Sequence, residues 1–169
     1  VRTATFALLA GLAFLGAGLL GLVPAALQPP PAGVPPTSFD MLYGYLLGLF
    51  PVNLAHTAVH LAIGAWGIAA WSGAASATGY ARSLAVLYAL LAVMGLVPGL
   101  QTVFGLLPLH GHDVWLHAVT AAIAAWFGWR RSPGEAERRA RADRRGREAL
   151  VSMDRRSGLE DRRSGHFSA

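Results

Sequence analysis

Ahead of Arg130 the chain carries only four formally charged side chains: Arg2, Asp40, Arg82 and Asp113. Four apolar runs fill most of that stretch, at about 3–23, 52–71, 80–97 and 108–129. Each approaches the ~20 residues that an α-helix needs to cross ~30 Å of hydrocarbon. Lipid offers no water to satisfy a backbone, so runs of this kind fold as helices that satisfy their own. The expected fold is therefore all-α: an integral membrane four-helix bundle over residues 1–131. The first run exceeds the roughly 7–15 residues of a signal peptide's apolar segment and is read as a retained span.

Arginine sets the orientation. Arg2, Arg82 and the Arg130/Arg131 pair fall on one side of a four-span arrangement, with no Lys or Arg on the other. The positive-inside rule then places both termini in the cytoplasm. Trp71, Trp126 and Trp129 stand at the inner ends of their helices, as an aromatic belt would. On the outer side, Gln28–Pro36 (QPPPAGVPP) reads as extended chain. Met41–Phe50 (MLYGYLLGLF) is too short to span and reads as a short interfacial helix, with Tyr43, Tyr45 and Phe50 as anchors. Arg without a single Lys, beside abundant Ala and Gly, suggests a GC-rich bacterial genome and hence an inner-membrane location.

From Ser132 the composition changes. Of 14 Arg, 12 lie between Arg130 and Arg163, together with seven of the nine acids. Residues 132–169 read as a cytoplasmic tail, largely disordered with a helix over Glu135–Leu150, and DRRSG recurs at Asp154 and Asp161. Anionic lipid headgroups are the partner this tail suits, at about 1 kcal/mol per nearby Arg before the acids cancel part of it. Nucleic acid is not expected, because acids interleave the arginines and no stacking aromatics accompany them.

Within the second run lies NLAHTAVHLAIGAW, Asn53–Trp66, with two histidines one helical turn apart. Slid along itself without gaps, the sequence lays LGLFPVNLAHTAVHLAIGA, from Leu47, over FGLLPLHGHDVWLHAVTAA, from Phe104. Gly48 then falls on Gly105, Pro51 on Pro108, His56 on Asp113 and His60 on His117. GLVP closes both the first and the third runs, at Gly21 and Gly95. The chain thus reads as two tandem αα-hairpin repeats packed about an axis along the membrane normal. Positions i and i+4 share a helix face, so His56 and His60 would meet Asp113 and His117.

Ionisable groups in lipid turn to the bundle interior, where they pair or line a functional path. One carboxylate with three imidazoles is a ligand set for zinc or another first-row divalent ion such as manganese or iron. His56, His60, Asp113 and His117 are the expected ligands. Asn53, His110 and His112 stand where they would hydrogen-bond the ligand rings and fix their tautomers. Three other readings stay open. The four groups form a hydrogen-bonded brace between helices, worth roughly 0.6–2 kcal/mol per contact. Less favoured is a haem held by His60 and His117, since Asp113 and His56 would crowd its iron. A proton relay comes last.

With no cysteine, thiolate sites are excluded. No HExxH, phosphate loop or nucleophile constellation is present, and Asp113 cannot serve as general base while it is a ligand. The sequence favours a binding protein over an enzyme.

FPVNLAHTAVHLAIGAWGI and GHDVWLHAVTAAIAAWFG, from Phe50 and Gly111, resemble the bacterial membrane family filed as domain of unknown function 4383. The resemblance implies four spans, with N-x2-H-x3-H-x3-G in the second and D-x3-H in the fourth. Asn53, His56, His60 and Gly64 match the first motif, Asp113 and His117 the second. Ala121 stands where a Gly is expected. The resemblance covers roughly residues 3–130 and implies no particular activity.

Overall fold

The computed structural model describes residues 2–130 and 140–153. The chain divides into two compact units, Val1–Trp129 and Arg130–Ala169. In the second, residues 140–153 are helical and leave Leu150, Val151 and Met153 exposed. The rest of the tail expectation, including both DRRSG segments, lies outside the described residues.

The first unit contains four α-helices: α1 (Thr3–Gly21), α2 (Leu54–Ser72), α3 (Ala77–Leu96) and α4 (His112–Trp129). By length and composition, α1, α2 and α3 are apolar enough to cross a membrane. With 18 residues and with His112, Asp113 and His117 in its first two turns, α4 is not among them. Large apolar side chains cover the outside of the unit, from Leu9 and Leu12 on α1 to Val93 on α3 and Trp115 on α4. The buried set includes Asn53, His56, His60, His110, Asp113 and His117. Apolar outside with ionisable groups inside is the distribution of a membrane protein, since a water-soluble monomer rarely shows so much contiguous apolar surface.

Helix ends follow from local chemistry. Asn53 caps α2 by accepting the His56 N–H, and Ser76 caps α3 by accepting the Gly79 N–H. Gly73, at φ +88°, takes the left-handed conformation that closes α2 and turns the chain into α3. Helices pack mainly as α1 on α2 and α3 on α4. Glycine permits the first contact: a Cβ on Gly67 would stand 2.7 Å from Gly11 Cα and 2.8 Å from the Ala7 carbonyl. At the opposite end from the cap described next, Arg82 Nε donates to the Gly128 carbonyl at 2.8 Å, and its guanidinium lies over the Trp129 ring.

The outer segment differs from the expectation of an interfacial helix. Met41–Phe50 forms turns and part of a three-stranded antiparallel sheet, β1 (Leu27–Gln28), β2 (Gly44–Leu46) and β3 (Phe50–Val52). The register pairs Leu46 with Leu27 on one side and with Phe50 on the other. Two physical reasons decide it. Leu42 and Leu47 adopt φ of 53° and 54°, outside any right-handed helix. Gly44 also backs so closely onto the Gln28 carbonyl that a Cβ would sit 3.0 Å from it, so the lack of a side chain there lets β1 and β2 approach.

The start of the last helix also shifts. Pro108, Leu109 and His110 are buried but non-helical, and α4 begins only at His112 after Gly111 turns at φ +69°. A proline disfavours helical geometry in the residue before it, and here the chain stays non-helical through Leu109 and His110 as well.

Candidate metal centre

The capped first turn of α2 fixes His56. Asn53 is completely buried and all its hydrogen bonds go to backbone. Its Oδ1 accepts from His56 N at 2.9 Å, while Nδ2 donates to the carbonyls of Phe39 and Leu106, each at 2.8 Å. Asn53 therefore acts on His56 through the main chain, and none of these bonds reaches an imidazole. Across from it, Asp113 occupies the first turn of α4, where the helix dipole favours a carboxylate. His117 follows one turn later on the same face.

His56, Asp113 and His117 converge: each offers a ligand atom, and the three lie within 4.8 Å of one another. His56 Nδ1 and Asp113 Oδ2 are 3.9 Å apart. Ligands at about 2.0–2.1 Å from a tetrahedral ion stand ~3.3 Å apart, so the widest pair would close by about 1.5 Å around one. Exposures are 4% for His56, 2% for Asp113 and 1% for His117. Burial without partners is the notable feature. Nδ1 of His56, His60 and His117 and Oδ2 of Asp113 have no hydrogen-bond partner among the described residues. Buried polar atoms are normally satisfied, and three of these belong to the His56, Asp113 and His117 group.

His60 stands aside from the three-residue group. Its ring meets His56 edge-on, with centroids 4.4 Å apart at 60°, and Phe14 packs on it at 5.5 Å. One turn of the same helix separates the two histidines, and only His56 is in the group whose ligand atoms lie within 4.8 Å of one another. His110 is buried beneath the outer cap, with Nδ1 3.4 Å from the Tyr45 hydroxyl. Burial lowers the His110 pKa. It raises that of Tyr45, where the charge of Asp113 adds to the effect. His112 is exposed on the first turn of α4, apart from the cluster.

Two neighbours were missed by sequence reasoning. Tyr88 on α3 meets His117 edge-on at 5.0 Å, and Phe14 on α1 contacts Tyr88 at 5.3 Å as well as His60. Tyr88 had a signal, as the one hydroxyl between Leu84 and Val97. Phe14 had none, since any large side chain on α1 reads as lipid-facing. A cavity of about 250 Å³ adjoins the cluster, bordered by His60, Asp113, His117, Tyr88 and residues of α1.

No curated protein and no solved structure matches this chain. A family model described as "Domain of unknown function (DUF4383)" matches residues 4–130, which span the four helices, the outer cap and the buried cluster, and the chain belongs to that family.

Proposed function

We propose that the protein holds a divalent metal ion, zinc, manganese or iron, between α2 and α4, with His56, Asp113 and His117 as ligands. One observation carries the reading: three chemically suited side chains converge in a buried interior, with Nδ1 of both imidazoles and Oδ2 of the carboxylate lacking a hydrogen-bond partner among the described residues. Two imidazoles and one carboxylate suit each of these ions and leave coordination positions open. His60 lies one turn along α2 and borders the same cavity as Asp113 and His117, where it stands as the candidate fourth ligand. No reaction is assigned, and the role is binding. A brace of hydrogen bonds is the competing reading. It is disfavoured because 3.9 Å between His56 Nδ1 and Asp113 Oδ2 exceeds hydrogen-bond length. Phe14 against His60 and Tyr88 against His117 favour a small ion over a macrocycle between those two imidazoles.

The same proposal takes α4 as a fourth span in a bacterial inner membrane, with both termini cytoplasmic and the Arg-rich tail against anionic headgroups. Residues 1–131 would form the membrane domain and 132–169 the tail. Tandem duplication is supported by the backbone. Leu47 and Gly48 have φ of 54° and 73°, and their counterparts in the second repeat, Phe104 and Gly105, have φ of 58° and 87°. Two consecutive left-handed residues ahead of a buried proline are an uncommon pattern to meet twice by chance.

Elemental analysis and an absorbance spectrum on detergent-purified protein test the metal reading, with Asp113→Asn and His117→Ala alongside. About one equivalent of metal, no Soret band and loss of metal in both folded variants is the expected result. Metal-free, well-folded protein that takes up no added zinc, manganese or iron would leave the brace.

A further inference from the structure

The cavity beside the cluster is set apart from the metal ligands by what lines the rest of it. Residues of α1, among them Ala13 and Phe14, line it together with Leu116, Thr120 and Ile123 of α4 and Tyr88 of α3. Leu116 and Ile123 are 44% and 47% exposed, and Ala13 is exposed as well, so the cavity runs out to the apolar surface of the bundle. Its opening lies between α1 and α4, which share only a thin contact while each packs along another helix. A molecule would enter sideways, from the acyl chains.

The far end is polar and aromatic. His60, Asp113 and His117 border it, and so do the rings of Phe14 and Tyr88, which pack on the two imidazoles and on each other with centroids 5.0–5.5 Å apart. Charge selects the class of visitor. An anionic head would be set against Asp113, and a charged head of either sign would have to leave water for hydrocarbon. An uncharged oxygen meets neither obstacle, and it can accept from an imidazole N–H. The volume falls below that of drug-sized sites, which begin at roughly 300 Å³. It suffices for one ring, with any tail lying outside between α1 and α4. Aromatic walls favour a flat ring over an alkyl chain.

We propose that this lateral cavity binds the oxygen-bearing ring of a bilayer-soluble quinone or phenol, with the oxygen toward His60 and His117 and the tail in the lipid. The proposal uses the same cluster as the metal reading but does not need a metal to be held there.

The test uses full-length protein in phospholipid nanodiscs, both as purified and after chelator treatment. The probe is a decyl-substituted 1,4-benzoquinone, with dodecanoate and dodecylamine as charged controls. Saturable retention of the quinone, a raised melting temperature and no saturable retention of either control are expected. Ala13→Phe, which fills the mouth from a lipid-exposed position, should weaken retention at least tenfold and leave metal content unchanged. Thr120→Leu, deeper in the cavity, should do the same and serves if the first variant fails to fold. Equal retention by folded cavity-filling variants, no saturable retention by wild type, or equal binding of dodecanoate would each overturn the proposal. Quinone binding by chelated protein separates this outcome from failure of the metal reading.

Discussion

Replacing Asn53 with alanine removes three hydrogen bonds from a position with no solvent access. Loss of the cap on His56 N costs about 1 kcal/mol. The carbonyls of Phe39 and Leu106 each lose a donor in a part-buried setting, at roughly 1 kcal/mol apiece, the low end of the range. The sum for Asn53→Ala is about 3 kcal/mol. Asn53→Ser keeps a capping oxygen and loses only the two donated bonds, so it should cost about 2 kcal/mol. Reversible unfolding of the protein in mixed micelles, followed by helical circular dichroism over a denaturant series, measures both. The order wild type, Ser, Ala is the discriminating result. Because the cap sets the first turn of α2, the Ala variant should also bind metal more weakly even where it remains folded. Both variants within about 0.5 kcal/mol of wild type would refute the argument that this side chain ties the two outer loops to α2.

Other expectations follow from the same geometry. Gly67→Ala forces a methyl against the Gly11 backbone and should destabilise by about 1–3 kcal/mol, seen in the same unfolding assay, with metal stoichiometry unchanged in the folded fraction. Metal retention should fall at acid pH, because imidazole ligates only when deprotonated; equal retention at about pH 7.5 and about pH 3.5 by equilibrium dialysis would count against His ligation. Arg82→Gln should cost on the order of 1 kcal/mol through the lost bond to the Gly128 carbonyl, with the larger part of the change in the unfolding rate if α3 and α4 dock late.

The apolar helices were legible because charge is nearly absent ahead of Arg130, and composition alone then limits what the backbone can do. The convergence of α2 and α4 was legible from the i,i+4 spacing on each. Three features were not. Met41–Phe50 has the apolar content of a helix, and its strand pairing depends on Leu27 and Gln28, across the proline-rich loop, a non-local term that no local pattern carries. The non-helical stretch through Pro108 and His110 looked helical because apolarity continues across it. The place of His60 turns on which of two rings one turn apart reaches the partner helix, and periodicity gives both nearly the same direction. Tyr88 and Phe14 complete the surroundings from helices the motif never mentions.

The outer cap has a consequence for how the molecule is assembled. Both Ser38 and Phe39 donate their backbone N–H to the Gly105 carbonyl, and Asn53 reaches the Leu106 carbonyl. The receiving residues lie far downstream, beyond α3, so the ribosome makes them well after α2 has emerged. Until they arrive, the first hairpin holds its loop open and His56 rests on an incompletely fixed turn. The second pair of helices then completes the bonds that hold the first, and the His56, Asp113 and His117 group comes together only when synthesis of the first unit is nearly finished. A chain that ends before α4 lacks both Asp113 and His117, two of the three side chains that converge.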